Sequence, residues 1–269
     1  MTEQTDYAHL GNISGEPIRG LYVFRAAGCA SCHTAPNDED NFVLAGGQEF
    51  KTKFGTFYAP NISTSKTHGI GNWKLEDFSN ALRRGLSPEK KHYYPIFPYT
   101  SYRLMTDQDL VDLWTFWQTL PATENPNKSH VVSWPFGIRS TLTGWKLINY
   151  KTGWVKPLTN TRGRYLVEVL GHCAECHTPR NLTGGLKRNA WMSGADSTLG
   201  EGRIPSIAPR DLNWTEEEIV EYLLTGFTPE YDVAAGKMAK VIEHTSSMRL
   251  GDLQAIAKYL KEIGQTDKY

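Results

Sequence analysis

The sequence contains no uninterrupted apolar run of about 18 residues, so no segment reads as a membrane-spanning helix. It has no net charge either: 29 basic side chains balance 29 acidic ones, which removes the basic excess expected of a protein that binds nucleic acid or an anionic membrane. No stretch alternates apolar and polar residues strongly enough to predict a sheet. The opening residues Met1-Thr2-Glu3-Gln4-Thr5 hold neither a basic n-region nor an apolar h-region. Sulfur is scarce, with four cysteines and five methionines among 269 residues.

What cysteine there is falls into one pattern used twice, Cys29-Ala30-Ser31-Cys32-His33 and Cys173-Ala174-Glu175-Cys176-His177. Two thiols three positions apart on one helical turn can each form a thioether to a vinyl group of haem, and the following histidine can turn its imidazole onto the iron. The reading is therefore two covalent haem c groups, bound by Cys29, Cys32 and His33 and by Cys173, Cys176 and His177. Zinc is the weaker alternative, because two Cys-x-x-Cys pairs would have to converge on one ion and zinc gives no reason for a histidine after each pair. A thioredoxin-like redox pair expects a βαβ setting, whereas these flanks read as helical. Disulfides would explain the cysteines and leave the histidines unexplained.

The surroundings repeat as well. Arg19-Gly20-Leu21-Tyr22 precedes the first motif and Arg162-Gly163-Arg164-Tyr165 the second, while Asn72-Trp73 leads to Gly85 as Asn213-Trp214 leads to Gly226. Thr106 with Asp109 and Thr215 with Glu218 have capping spacing; Leu110, Leu113, Trp114 and Trp117, and again Leu253, Ile256, Ala257 and Leu260, follow a helical period. Each copy thus predicts a haem-bearing, a middle and a closing helix joined by long loops. The expected organisation is all-α with two tandem domains, 1–120 and 161–269, joined by a linker over 121–160. That linker carries Pro121, Pro126, Pro135 and Pro157 and the aromatics Trp134, Trp145 and Trp154. It also holds Lys128, Arg139, Lys146, Lys151 and Lys156 against Glu124 alone. Packing of its aromatics on both domains is the simpler reading and a partner-docking surface the alternative.

Ala59-Pro60-Asn61-Ile62-Ser63, Gly69-Ile70-Gly71-Asn72-Trp73, Tyr94-Pro95-Ile96-Phe97-Pro98-Tyr99 and Gly171 to Asn181 extend a resemblance over both halves. The chain resembles the dihaem members of the class I cytochrome c family, in particular the cytochrome c subunits of periplasmic alcohol, sugar-acid and related dehydrogenases. Such subunits often carry three haems, and this chain has motifs for two. The resemblance implies an electron-transfer subunit that takes electrons from a dehydrogenase and passes them to a cytochrome, quinone or oxidase. It also implies a periplasmic location, so the expectation is a mature form from which the export signal is absent.

A distal methionine would close each iron and raise its potential. The resemblance places methionine where this chain has Phe97, so Met105, the one non-terminal methionine of the first domain, is the expected ligand of haem 1. For haem 2, ungapped counting from Pro88 and Pro229 pairs Phe97 with Met238, whereas counting back from Asp109 and Asp252 pairs Met105 with Met248. Met238 is favoured because the resemblance places the ligand there. Met192 reads as core packing. His92 and His244 are candidates for bis-histidine ligation, against the commoner reading of ordinary hydrogen-bonding histidines. His172 reads as surface, and Asn61 and Trp73 as possible propionate contacts or plain packing. The expected activity is relay rather than catalysis; the rival is a dihaem peroxidase or thiosulfate-dehydrogenase-like enzyme with an open haem 1.

Overall fold

The computed structural model describes residues 7–151, 153–155, 160–197 and 202–263. Helix α1 (Pro17–Ala26) begins where the Glu16 carboxylate accepts the amides of Ile18 and Arg19 at 2.9 and 2.8 Å and Pro17 fills the first helical position. Helix α2 (Cys29–His33) carries the first motif. A hairpin of β1 (Glu49–Thr52) and β2 (Gly55–Tyr58) leads to α3 (Leu75–Ser79), which widens into a π-helical turn over Asn80–Arg84 and stops at Gly85. After α4 (Tyr99–Tyr102), α5 (Asp107–Trp117) starts at Thr106, whose hydroxyl accepts the Asp109 amide at 3.1 Å. The second copy has α7 (Thr161–Tyr165), running on as a π-helical stretch over Leu166–Leu170, and α8 (Ala174–His177). Then come β4 (Ala195–Asp196), β5 (Arg203–Ile204), α9 (Glu216–Thr225), α10 (Gly236–Thr245) and α11 (Leu250–Glu262). Thr215 and Glu218 form the expected reciprocal box, and Gly226 ends α9 in the left-handed conformation.

The repeated Arg-Gly pair has a packing cause. A Cβ on Gly20 would stand 2.0 Å from the Asp112 carbonyl oxygen and one on Gly163 2.0 Å from that of Ala255, so only glycine lets α1 cross α5 and α7 cross α11 this closely. The preceding arginines lock these crossings: Arg19 donates to Asp112 at 2.7 and 3.0 Å, and Arg162 to Asp252 at 2.8 and 2.7 Å. Leu110, Leu113, Leu253 and Ala257 are buried at the seams, as the helical period predicts.

The tyrosine that closes each Arg-Gly-x-Tyr segment reaches the other copy. Tyr22 donates to Asp252, and Tyr165 donates to Asp109 at 2.5 Å. The same hydroxyls accept backbone amides at the starts of the two closing helices, Thr106 onto Tyr165 at 3.2 Å and Arg249 onto Tyr22 at 3.5 Å. Residues 22, 106 and 109 correspond to 165, 249 and 252, so the two copies face each other through a pseudo-two-fold.

Segment 121–160 forms more than a connection. Its Val131–Val132 pair (β3) adds a strand to β2, and Thr141–Asn149 form a further helix, α6. Trp145 donates to the Thr183 carbonyl at 2.8 Å, Tyr150 to Arg83 at 2.6 Å, Lys146 to Arg84 and Gly85, and the Arg164 guanidinium lies over the Trp154 ring. The aromatics and Lys146 therefore contact both copies, while Trp134 is 87% exposed. Lys156 and Pro157 lie outside the described residues. The two small sheets, of three and two strands, were not expected from the sequence; strands of two to four residues are too short to show an alternating period. They leave the all-α class intact. Among the described residues no helix is long and apolar enough to cross a membrane.

Candidate haem-attachment sites

The chain reverses between the first helix of each copy and its motif through a left-handed residue. Gly28 has φ +61°, and the equivalent position in the second copy is His172 at φ +39°. A histidine tolerates this region at some cost. It has an offsetting contact, because the His172 ring packs on Tyr102 with centroids 5.5 Å apart. His172 is thus half-buried in the seam between the copies, not the surface residue expected from sequence.

Each motif histidine is oriented from behind. His33 Nδ1 lies 2.9 Å from the Pro60 carbonyl oxygen and His177 Nδ1 2.8 Å from that of Pro205. A carbonyl only accepts, so Nδ1 carries the proton and Nε2 presents its lone pair away from the supporting loop. Each histidine carbonyl in turn accepts a glycine amide, Gly46 at 2.7 Å and Gly194 at 2.8 Å. Burial lowers His33 to about 4 and also lowers His177, which keeps both imidazoles in the neutral form that binds iron.

All four cysteines are unpaired thiols. Burial pushes Cys29 and Cys173 up to about 12. Burial likewise raises Cys32 to about 11, with the Lys237 ammonium opposing the rise and the Cys176 thiol of the other motif adding to it. Cys32 and Cys176 are nevertheless solvent-accessible. Two free thiols and one imidazole with a preset Nε2 lone pair form the donor set of a c-type haem, and both motifs supply it. Among the described residues no three His, Cys, Asp or Glu side chains converge as a metal cluster would require, which leaves the zinc alternative without a site.

The conflict between the two ungapped countings resolves into a length difference. A bridge joins Leu86 to His92 and another Phe227 to Val233, and Tyr93 bonds to Gly85 as Ala234 does to Gly226, so in this stretch equivalent residues differ by 141. Met105 bonds to Tyr102 as Met248 does to Thr245, a difference of 143. The path from Ala234 to Thr245 is two residues longer than that from Tyr93 to Tyr102, and α10 absorbs the excess. Met105 and Met248 therefore occupy one place: both are buried, just ahead of the first residue of a closing helix, where an apolar side chain packs on the helix's first turn. Phe97 and Met238 correspond when counted from the bridges, and both are partly buried against the core. Met192 is fully buried, as core packing requires.

The remaining histidines and Asn61 are committed elsewhere. His92 Nε2 lies 3.1 Å from the Thr143 hydroxyl on α6, and His244 Nε2 lies 2.6 Å from the Ser31 hydroxyl on the first attachment turn. Asn61 donates its side-chain amide to Thr123 and Asn125 at 2.8 and 2.9 Å and accepts from Ser63 at 2.9 Å, while its backbone amide is taken by Asn127 at 2.6 Å. It fastens segment 121–160 to the first copy and has nothing left for a propionate. That role, and the cross-copy pairing of Tyr22 and Tyr165, went unseen in the sequence; the repeated tyrosine after Arg-Gly was the available signal.

Comparison with known proteins agrees with the geometry. Residues 18–121 match the Cytochrome c family model. A protein described as diheme cytochrome c-type from Cereibacter sphaeroides is 46% identical over 266 residues, covering 97% of this chain and 90% of that protein. The fructose dehydrogenase cytochrome subunit of Gluconobacter japonicus is 39% identical over 95% of this chain, and the cytochrome c subunit of the quinone alcohol dehydrogenase of Gluconobacter oxydans is 34% identical over 91%. The chain spans only 53% and 54% of those two subunits. Paired attachment turns, carbonyl-held histidines and near full-length similarity to a dihaem relative together show that this chain belongs to the cytochrome c family, as a c-type cytochrome of the dihaem kind.

Proposed function

We propose that this cytochrome is a two-haem relay of the periplasm, taking electrons from a dehydrogenase and delivering them to a respiratory acceptor that is a cytochrome, a quinone or an oxidase. The observation that carries the reading is the doubled turn, each with two free thiols and a histidine whose Nδ1 is tied to a carbonyl. Similarity to cytochrome subunits of fructose and alcohol dehydrogenases supports the donor class. When bound, haem c supplies a one-electron iron couple. Cys29, Cys32, Cys173 and Cys176 would anchor the two groups, and His33 and His177 would present Nε2 to iron. Met105 and Met238 are the proposed distal ligands of haem 1 and haem 2, supplied from non-equivalent places in the two copies.

A second reading rests on Phe97. It stands where Met238 stands in the other copy, and Met105 matches Met248, so haem 1 without a sulfur ligand is the state that would make this protein a haem enzyme acting on peroxide or thiosulfate. The relay is favoured because the similar proteins are a dihaem cytochrome and the cytochrome subunits of fructose and alcohol dehydrogenases. Carbon monoxide separates the readings: the relay leaves the reduced spectrum unchanged and turns over neither peroxide nor thiosulfate. Carbon monoxide binding at one haem together with turnover of either substrate overturns it.

A further inference from the structure

We infer that electrons pass between the two haem sites across the seam where the attachment turns face each other, bridged by Tyr102 and His172 and held shut by the Tyr22–Asp252 and Tyr165–Asp109 pairs. The inference rests on the relay reading, since it presumes haem c on both motifs.

Each attachment turn is covered by the other copy. On the first, Ser31 meets His244 at 2.6 Å, and His244 Cδ2 comes within 3.8 Å of the Cβ position of Gly28. On the second, Thr100 donates to Glu175, which lies between the two cysteines, at 3.0 Å. Tyr102 touches both turns with one side chain. Its hydroxyl donates to the Ala27 carbonyl at 3.0 Å, two residues before Cys29, and its ring packs on His172, directly before Cys173. Tyr102 is buried, so this aromatic bridge excludes water from the gap. With haem c held by both motifs, exchange would move one electron from the reduced to the oxidised group with no proton transferred and no bond made or broken, so what the chain must supply is a fixed, dry separation.

The reciprocal pairs supply the fixity. The tyrosines stand on the first helix of each copy, seven residues before Cys29 in the first and adjoining the π-helical stretch in the second, and each bonds to the other copy's closing helix. The hydroxyl that donates to the aspartate also accepts the amide of Thr106 or Arg249. Tyr22, Tyr165, Tyr102 and His172 are positioning residues: none is placed as a ligand to iron. The seam thus fixes the distance alongside the contacts that segment 121–160 makes with both copies.

The test is the double variant Tyr22→Phe/Tyr165→Phe in the holoprotein. Each lost hydrogen bond to a carboxylate lowers the closed-to-open ratio about tenfold. Hydrogen exchange at the Thr106 and Arg249 amides should therefore accelerate, and the intramolecular electron-transfer phase after flash reduction should slow by a similar factor or split into two, with both haem spectra and potentials unchanged. Accelerated exchange with an unchanged transfer rate would place the route elsewhere, and no change in either would remove the latch; both results overturn the inference. If the double variant does not fold, a protease site inserted in the exposed Trp134–Ile138 turn decides. The nicked wild-type chain should remain associated and keep its transfer rate, whereas separation of the halves or loss of the rate contradicts the seam. A chain that loads fewer than two haems contradicts the relay instead, which the haem content reads independently.

Discussion

Asp252 gathers more partners than any other carboxylate at the seam, and replacing it with asparagine tests whether the repeat's Arg-Gly-x-Tyr segment works as described. Burial alone would raise this carboxyl, but hydrogen bonds from Arg162 and Tyr22, the charge of Arg162 and a hydrogen bond from Arg249 outweigh it and hold it at about 2 instead of 3.8. At about 1.4 kcal/mol per pH unit, that difference corresponds to roughly 2.5 kcal/mol of native-state stabilisation. The Asp252 side chain is 10% exposed, but those of Arg162 and Arg249 are 41% and 70% exposed, so water reclaims part of what they lose. The expected cost of Asp252→Asn at pH 7 is therefore roughly 1–2 kcal/mol, a fall of about 2–8 °C in Tm. Because the folded value is depressed, the stabilisation is fully present above the unfolded carboxylate value near 3.8 and disappears as pH falls toward about 2. Thermal unfolding followed by circular dichroism should thus show a gap between wild type and variant that is constant from pH 7 to about 5 and narrows below 4. Asp112→Asn, which breaks Arg19 but no cross-copy tyrosine, should destabilise without loosening the seam. A gap for Asp252→Asn that is absent at pH 7, or that persists unchanged to pH 3, would refute the reasoning.

Other substitutions probe the sites directly. Met105→Ala should turn haem 1 high-spin or water-ligated and lower its potential, and Met238→Ala should do the same for haem 2, whereas Met248→Ala should leave both spectra alone; loss of the haem 2 ligand band in Met248→Ala would reassign that ligand. Replacing Cys29 and Cys32 with serine should leave the first domain largely disordered, since small helical domains with long loops bury too little without the porphyrin, and native helicity with one haem missing would contradict this. Asn61→Ala removes three side-chain hydrogen bonds, two of which fasten 121–160, at an expected cost of about 2–3 kcal/mol in denaturant unfolding, with haem 1 absorption unchanged. A shift in the haem 1 spectrum would restore the propionate role that its saturated bonding argues against.

The parts of this fold that were legible in the sequence are those with a local cause. The attachment motifs declare their chemistry by spacing, Thr106 and Thr215 cap helices through bonds three residues away, and Leu253, Ile256, Ala257 and Leu260 show their buried face by period. What escaped depends on partners distant in the chain. Tyr22 was visible as half of a repeat, but its bond to a residue 230 positions away was not. The conflict over Met238 and Met248 could not be settled by counting, because two extra residues in α10 look like nothing until backbone bonds fix both ends. His172 reads as a surface histidine from its neighbours; its left-handed conformation and its contact with Tyr102 follow from the reversal that Gly28 makes in the other copy. Segment 121–160 showed its aromatics, while its strand and helix needed β2 and the α3 turn as templates.

The central claim is that one chain holds two working haems and only relays electrons, and a reductive titration of the purified holoprotein tests it most directly. The account predicts that each chain takes up two electrons, that both haem bands bleach and recover together when a soluble acceptor is added, and that neither peroxide nor thiosulfate is consumed. Uptake of a single electron per chain, or one haem that stays silent toward the acceptor while turning over substrate, would contradict it.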